Sequence, residues 1–103
     1  MIHGPGDVRF ETVEDPQVQC PTDAVVRVVA SCVCGSDLWP YRGVQPTTRP
    51  HRIGHEFVGV VTDVGAEVVT VRPGDFVIAP FAISDGTCVH CRNGITTSCA
   101  TGG

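Results

Sequence analysis

The sequence predicts a mainly β fold, a partly open β-barrel of short strands, for this chain of 103 residues. Twelve glycines and eight prolines divide the chain into short segments, and many of those segments are rich in valine. No segment keeps a 3.6-residue apolar repeat over three helical turns. Short strands separated by turns are typical of sandwiches and open barrels.

The longest predicted strands lie in the first two thirds of the chain. Residues 8–14 alternate loosely between apolar and polar and predict a strand that ends at Asp15-Pro16. Ala24–Cys32 is almost continuously apolar, which indicates a buried strand. Glu56–Val64 predicts another strand, in which Gly59 marks a bulge or a close backbone approach.

The remaining segments are shorter. Residues 35–43 predict a turn or one short helical turn, and residues 44–52 predict a loop. Residues 68–71 and Phe76–Ala79 predict short strands joined by a Pro-Gly-Asp turn. From Ser84 onward only the cysteine spacing suggests order, so this part is predicted to be loop-like.

Composition excludes several classes of protein. The hydrophobic fraction of 42% is that of a globular chain, and the net charge of −4 argues against a nucleic-acid partner. The N-terminus has no signal-peptide pattern, and no apolar stretch approaches the ~18 residues that a membrane span needs. We therefore expect one small cytoplasmic domain with no membrane contact.

The cysteines favour metal binding over disulfides. Cys88, Cys91 and Cys99 form a cluster that contains a C-x-x-C pattern, and no secretory segment accompanies them. In a cytoplasmic protein such spacing indicates a metal site. Cys20 and Cys32 fit neither this cluster nor the one described next, and they are interpreted as ordinary thiols.

The pair of Cys34 and His55 is weaker evidence on spacing alone. Cys34 and His55 are both natural zinc ligands, but on spacing alone a buried cysteine and a surface histidine are the favoured explanation of the pair. Their surroundings are more specific. C-G-S-D at residues 34–37, G-H-E-x-x-G-x-V from residue 54, V-G at 64–65 and G-D-x-V at 74–77 together resemble the zinc-containing medium-chain alcohol dehydrogenases.

This resemblance runs almost the length of the chain and implies a GroES-like, partly open β-barrel with a zinc-binding loop lobe. Residues 1–103 are then expected to be part of the catalytic domain, with the structural-zinc lobe at residues 84–100. The G-x-G-x-x-G pattern of a dinucleotide-binding unit does not occur. The Rossmann domain is therefore expected to lie outside this chain, and the 103 residues alone are expected to be inactive.

The resemblance also implies roles for the motif residues. Cys34 and His55 would ligate a catalytic zinc, and Glu56 would either ligate it or exchange with its water. Ser36 would bond the substrate hydroxyl and pass its proton outward. Asp37 would accept a hydrogen bond from the second ring nitrogen of His55 and fix its tautomer. The implied reaction oxidises an alcohol or polyol through a zinc alkoxide, with hydride transfer to NAD or NADP.

Two distances test these roles. Ligand atoms of Cys34 and His55 that share one zinc should lie within about 4 Å of each other. The Asp37 carboxylate should lie about 2.7–3.2 Å from the other His55 nitrogen.

The cluster of Cys88, Cys91 and Cys99 departs from the family pattern at one position. The family's structural-zinc lobe has four cysteines separated by three, three and eight positions, and here Asp85 occupies the first. Carboxylates do ligate zinc, so the predicted ligands are Asp85, Cys88, Cys91 and Cys99. His90 is an alternative fourth ligand, although its place between two ligands predicts that it points away.

Two further departures affect the expected chemistry. Gly35 stands where some members carry a basic residue that touches cofactor phosphate. Trp39 stands where many members carry a histidine at the outer end of the proton relay, and an indole cannot relay a proton at neutral pH. Trp39 is expected either to wall a substrate pocket or simply to pack.

Three hypotheses follow. The first is a fragment of an enzyme whose partner is a small alcohol or aldehyde, homo-oligomeric at full length. The second is a zinc-binding structural module without catalysis. The third, a zinc-free relative of quinone reductases, conflicts with the Cys34–His55 pair and the three-cysteine lobe.

Overall fold

A computed structural model describes residues 1–102. Its strands are β1 (Ile2–Gly4), β2 (Asp7–Val8), β3 (Ala24–Cys32), β4 (Glu56–Val64) and β5 (Phe76–Ala79). Its helices are α1 (Leu38–Arg42) and α2 (Val89–Arg92), with 3-10 turns at Gly35–Asp37 and Thr96–Ser98. The predicted mainly β class with open sheets is confirmed.

The strands form two antiparallel sheets. β1 and β2 make a small hairpin, and β3, β4 and β5 follow one another across a three-stranded sheet. The predicted bounds of β3, β4 and β5 agree with the structure because each strand has an apolar run and a neighbour to pair with. A single bridge between Ile2 and His51 ties the hairpin to the loop before β4.

Gly59 occupies a point of close approach, as predicted. It pairs with Val28, where the β3 register shifts through a bulge. A Cβ atom at Gly59 would lie 2.4 Å from the Arg27 carbonyl oxygen and 2.6 Å from a Val26 methyl carbon. Only glycine fits there without moving the backbone of β3.

Two predicted strands were wrong. Residues 9–14 are irregular, and only Asp7–Val8 pairs at that point of the chain. Residues 68–71 form no ladder either, because the carbonyl of Asp75 and the amide of Gly74 bond Val61 instead. An alternating pattern shows that a segment could form a strand, but a strand also needs a neighbour with free backbone groups.

The interior of the described chain is small. Among residues 1–102, only Ile2 and Val61 are buried hydrophobic side chains, and Phe10, Phe76, Ile78 and Phe81 are among the exposed ones. The Cα radius of gyration is 15.5 Å, against about 13 Å for a compact domain of this length. Much apolar surface is therefore open to contact.

No helix between residues 1 and 102 has the length and apolar character needed to cross a membrane.

Candidate metal centres

The ends of β3 and β4 bring the predicted cluster of Cys34, His55 and Glu56 together. Cys32, the last residue of β3, pairs directly with Glu56, the first residue of β4. Cys34 lies two residues beyond that pair on one strand, and His55 lies one residue before it on the other. Antiparallel pairing therefore places both side chains at the same edge, and the ligand atoms of Cys34, His55 and Glu56 all lie within 4.8 Å of one another.

Asp37 fixes the turn that follows Cys34. Its carboxylate Oδ2 accepts the backbone N–H of Cys34 at 2.9 Å, which closes the 3-10 turn. Its Oδ1 lies 3.4 Å from Nδ1 of His55, slightly longer than the predicted hydrogen bond. Asp37 is 8% exposed and is the buried polar residue of the described chain, so one side chain closes the turn and also faces the imidazole.

Ser36 lies against both potential ligands. Its hydroxyl donates to the Cys34 sulfur at 3.3 Å, and its oxygen lies 3.4 Å from Nε2 of His55. The two nitrogens of His55 therefore face different partners, Asp37 on one side and Ser36 on the other.

The electrostatics of this cluster favour a charged pair. The Ser36 hydroxyl, with further help from the Ser36 amide and His55, lowers the pKa of the Cys34 thiol below its usual value. The hydrogen bond with Cys34 raises the pKa of His55, and the nearby Asp37 charge adds to this. A thiolate, an imidazole and a carboxylate are all zinc ligands, so this donor set fits the metal.

The residues around the cluster include two that sequence reasoning missed. β5 runs antiparallel to β4 with Ala79 opposite Phe57, so the chain after Ala79 passes close to His55. Phe81 packs edge-on against the imidazole, with ring centroids 5.1 Å apart. Strand register is the signal that could have identified Phe81. The other missed residue is Cys32, and its signal is its position two residues before Cys34.

Open clefts lie on two sides of His55. One, of about 530 Å³, is lined mainly by apolar side chains and also by Asp37 and Glu56. The other, of about 540 Å³, lies against Phe81 and Ile83. Trp39 lines neither cleft and is 58% exposed, so the structure supports neither the pocket-wall nor the packing interpretation of this residue.

The second cluster is built by two short helical turns. α2 begins after Cys88, whose sulfur accepts the Cys91 amide at 3.4 Å, and the Thr96–Ser98 turn returns the chain to Cys99. The sulfurs of Cys88 and Cys99 lie 3.9 Å apart, close to the ~3.8 Å of two thiolates on one zinc. Ligand atoms of Asp85, Cys88, Cys91 and Cys99 lie within 4.8 Å of one another.

Asp85 is tightly held in this lobe. Its Oδ1 accepts the amides of Thr87 at 2.8 Å and Cys88 at 3.0 Å, and its Oδ2 accepts the Thr101 hydroxyl. These bonds, that of Thr101 first, hold the pKa of the Asp85 carboxyl well below its usual range. Gly86 follows with a φ of 73°, which permits the sharp wrap.

The thiols of the lobe differ in their environments. Backbone N–H groups, chiefly that of Asp85 and then those of Thr101 and Gly102, lower the pKa of Cys99 to about 7. Burial from solvent, with the neighbouring Cys88 thiol, raises the pKa of Cys91 to about 12. His90 is exposed and lies outside the group of four ligand atoms.

The domain is an open antiparallel sheet with one donor cluster at a strand edge and another in a cysteine loop, and each cluster could hold a metal ion. Residues 20–103 match the model of the alcohol dehydrogenase GroES-like domain family. The chain belongs to this family, the N-terminal domain family of the zinc-dependent medium-chain alcohol dehydrogenases.

Its relatives agree with this assignment. A medium-chain reductase/dehydrogenase of Acremonium sp is 45% identical over 89% of this chain and 32% of its own length. A zinc-type alcohol dehydrogenase B of Aspergillus flavus is 36% identical over 96% of this chain and 23% of its own. The solved alcohol dehydrogenase of Thermus sp. ATN1 superposes with a TM-score of 0.89 at 41% identity, covering 99% of this chain and 30% of that one. The chain thus spans a third or less of the length of these proteins.

Proposed function

We propose that this chain is the metal-holding part of a zinc-dependent alcohol dehydrogenase that uses NAD or NADP. The supporting observation is the strand-edge cluster, in which donor atoms of Cys34, His55 and Glu56 converge while the Ser36 hydroxyl touches two of the three residues. In this proposal the substrate is a small alcohol or aldehyde. Zinc bound there would act as a Lewis acid that lowers the pKa of the substrate hydroxyl.

Each side chain then has one task. Cys34 and His55 hold the metal, and Glu56 supplies a third donor. The Ser36 hydroxyl, already directed into the cluster, bonds the substrate oxygen and accepts its proton on the way to solvent. Asp37 keeps the Nδ1 proton of His55 directed toward itself, so that Nε2 presents its lone pair to the metal. Because Trp39 cannot relay the proton, the path beyond Ser36 runs through water.

The lobe has a structural task in the same proposal. Asp85, Cys88, Cys91 and Cys99 form a closed set of four ligands, which is typical of a structural zinc. A carboxylate in place of a thiolate keeps the charge of the site at −2 with bound zinc, so the electrostatics change little. Residues 84–100 then fold around the metal as one lobe of the domain.

A chimera tests the catalytic proposal. Residues 1–102 of this chain would replace the matching 30% of the Thermus sp. ATN1 alcohol dehydrogenase, whose remaining chain would supply the rest of the enzyme. We expect alcohol-dependent reduction of NAD or NADP. Ser36→Ala should lower kcat by about 100-fold because the proton acceptor is lost, and His55→Ala should lose both metal and activity.

The matched control is Cys20→Ala, which removes an exposed thiol outside both clusters. That chimera should keep full activity. A chimera that folds and retains zinc at both clusters but reduces no cofactor would instead favour the non-catalytic zinc-binding module.

A further inference from the structure

Glu56 and Cys32 form the last cross-strand pair beneath the strand-edge cluster. The two residues lie directly opposite each other at the end of the β3–β4 ladder. The Cys32 thiol donates to Oε2 of Glu56 at an S–O distance of 3.6 Å, a normal length for a sulfur donor. Opposed side chains at such a position are near neighbours by construction, so the backbone register maintains this contact.

The contact gives the Glu56 carboxylate a fixed partner beside the cluster. Glu56 contributes an oxygen to the group that includes Cys34 and His55. Within residues 1–102, the Cys32 thiol is the side chain that donates a hydrogen bond to the Glu56 carboxylate. A glutamate has three rotatable bonds and loses considerable freedom when fixed, so a donor on the carboxylate helps to hold it toward the cluster.

Cys32 suits this task by chemistry as well as by position. A thiol is a weak donor that is protonated at neutral pH in an ordinary environment. It can hold a carboxylate in place without competing strongly for its charge. Groups that bond a metal-ligating carboxylate from behind commonly set its orientation and the affinity of the site.

We propose that Cys32 is a positioning residue, whose thiol holds Glu56 so that one carboxylate oxygen stays with Cys34 and His55. The inference deepens the proposed function and rests on it, because it assumes a metal at the strand-edge cluster. It assigns a task to a thiol that the sequence alone leaves without one.

The test measures cobalt binding to the 103-residue chain and its variants by absorption spectroscopy, with a competing chelator. Thiolate-to-cobalt bands report how many thiolates ligate the bound cobalt. The cobalt equivalent that is lost in Cys34→Ser is the one bound at the strand edge. Cys32→Ala should release that equivalent to the chelator about 10–100-fold more readily, and the lobe equivalent should not change. Cys32→Ser should restore part of the affinity, because a hydroxyl is also a donor.

Cys20→Ala serves as the matched thiol control and should bind cobalt as the parent does. Equal retention in Cys32→Ala and the parent would overturn the inference. At saturating cobalt without chelator, a thiolate band per strand-edge cobalt ion that is weaker by one thiolate in Cys32→Ala than in the parent would also overturn it, because Cys32 would then be a ligand. If Cys34→Ser leaves the cobalt content unchanged, the strand-edge site itself fails, and the proposed function fails with the inference.

Discussion

Replacement of Asp37 is the most informative single change, because this side chain supports both the turn and the imidazole. Asp37→Ala leaves the Cys34 N–H, which is part of a half-buried hydrogen bond, without its 2.9 Å acceptor. Loss of the partner of a shielded donor costs about 1–3 kcal/mol. We therefore expect the free energy of unfolding of the metal-free chain to fall by about 2 kcal/mol.

Asp37→Asn separates the two tasks of this side chain. The amide oxygen can still accept the Cys34 N–H, so stability should fall by only about 1 kcal/mol. The negative charge near Nδ1 of His55 is lost, so metal retention should still fall by about 10–100-fold, as in Asp37→Ala.

Urea unfolding with chelator present measures the first effect. With a slope of about 1–3 kcal/mol per molar urea, the midpoint for Asp37→Ala should shift by about 1 M. A midpoint equal to that of the parent would refute the idea that the Cys34–Asp37 bond holds this turn. If Asp37→Asn retains metal as well as the parent does, the Asp37 charge does not support metal binding by His55.

Four other outcomes are expected. Asp85→Ala should lose zinc from the lobe under mild chelation. Asp85→Cys should retain zinc more strongly than the parent, since a thiolate is the softer ligand. If Asp85→Ala retains as much zinc as the parent, Asp85 is not the fourth ligand. Gly59→Ala should lower the free energy of unfolding by a few kcal/mol, because its Cβ would meet the Arg27 carbonyl at 2.4 Å. Urea unfolding measures this loss, and an unchanged midpoint would contradict the close approach. In the metal-free chain, alkylation of Cys99 should rise as pH increases through about 7, because donated N–H groups stabilise its thiolate, whereas a midpoint near 9 by mass spectrometry would count against those bonds. The purified 103-residue chain should give no cofactor-dependent oxidation of ethanol or benzyl alcohol, and measurable turnover would show that a nucleotide site was overlooked.

The sequence predicts the central sheet well and its surroundings less well. β3, β4 and β5 are visible as apolar runs bounded by turn residues. α2 and the Thr96–Ser98 turn escape prediction because a helix of one turn has no apolar period to detect. Residues 68–71 have a strand pattern, but only the fold reveals that the neighbouring backbone groups of Val61 are already bonded.

The candidate site divides in the same way. The types and order of the cluster residues can be predicted, because zinc chemistry admits few side chains. The contacts of Phe81 with His55 and of Cys32 with Glu56 depend on strand register, which no short motif records. The bond to Oδ2 of Asp85 likewise depends on Thr101, which lies outside the cysteine pattern.

The pairing of Cys32 with Glu56 also affects how this protein could be lengthened. The β3–β4 ladder sets the distance between Cys34 and His55. The length of the loop at residues 44–50 therefore does not affect this distance. Doubling a flexible loop adds only about 0.6 kcal/mol to its closure cost. Insertions between Val44 and Thr48 should therefore leave the donor geometry intact, whereas deletion of one residue within β3 would turn Cys32 to the opposite face of the sheet. The loop is thus a place for grafted segments, and the strand is not.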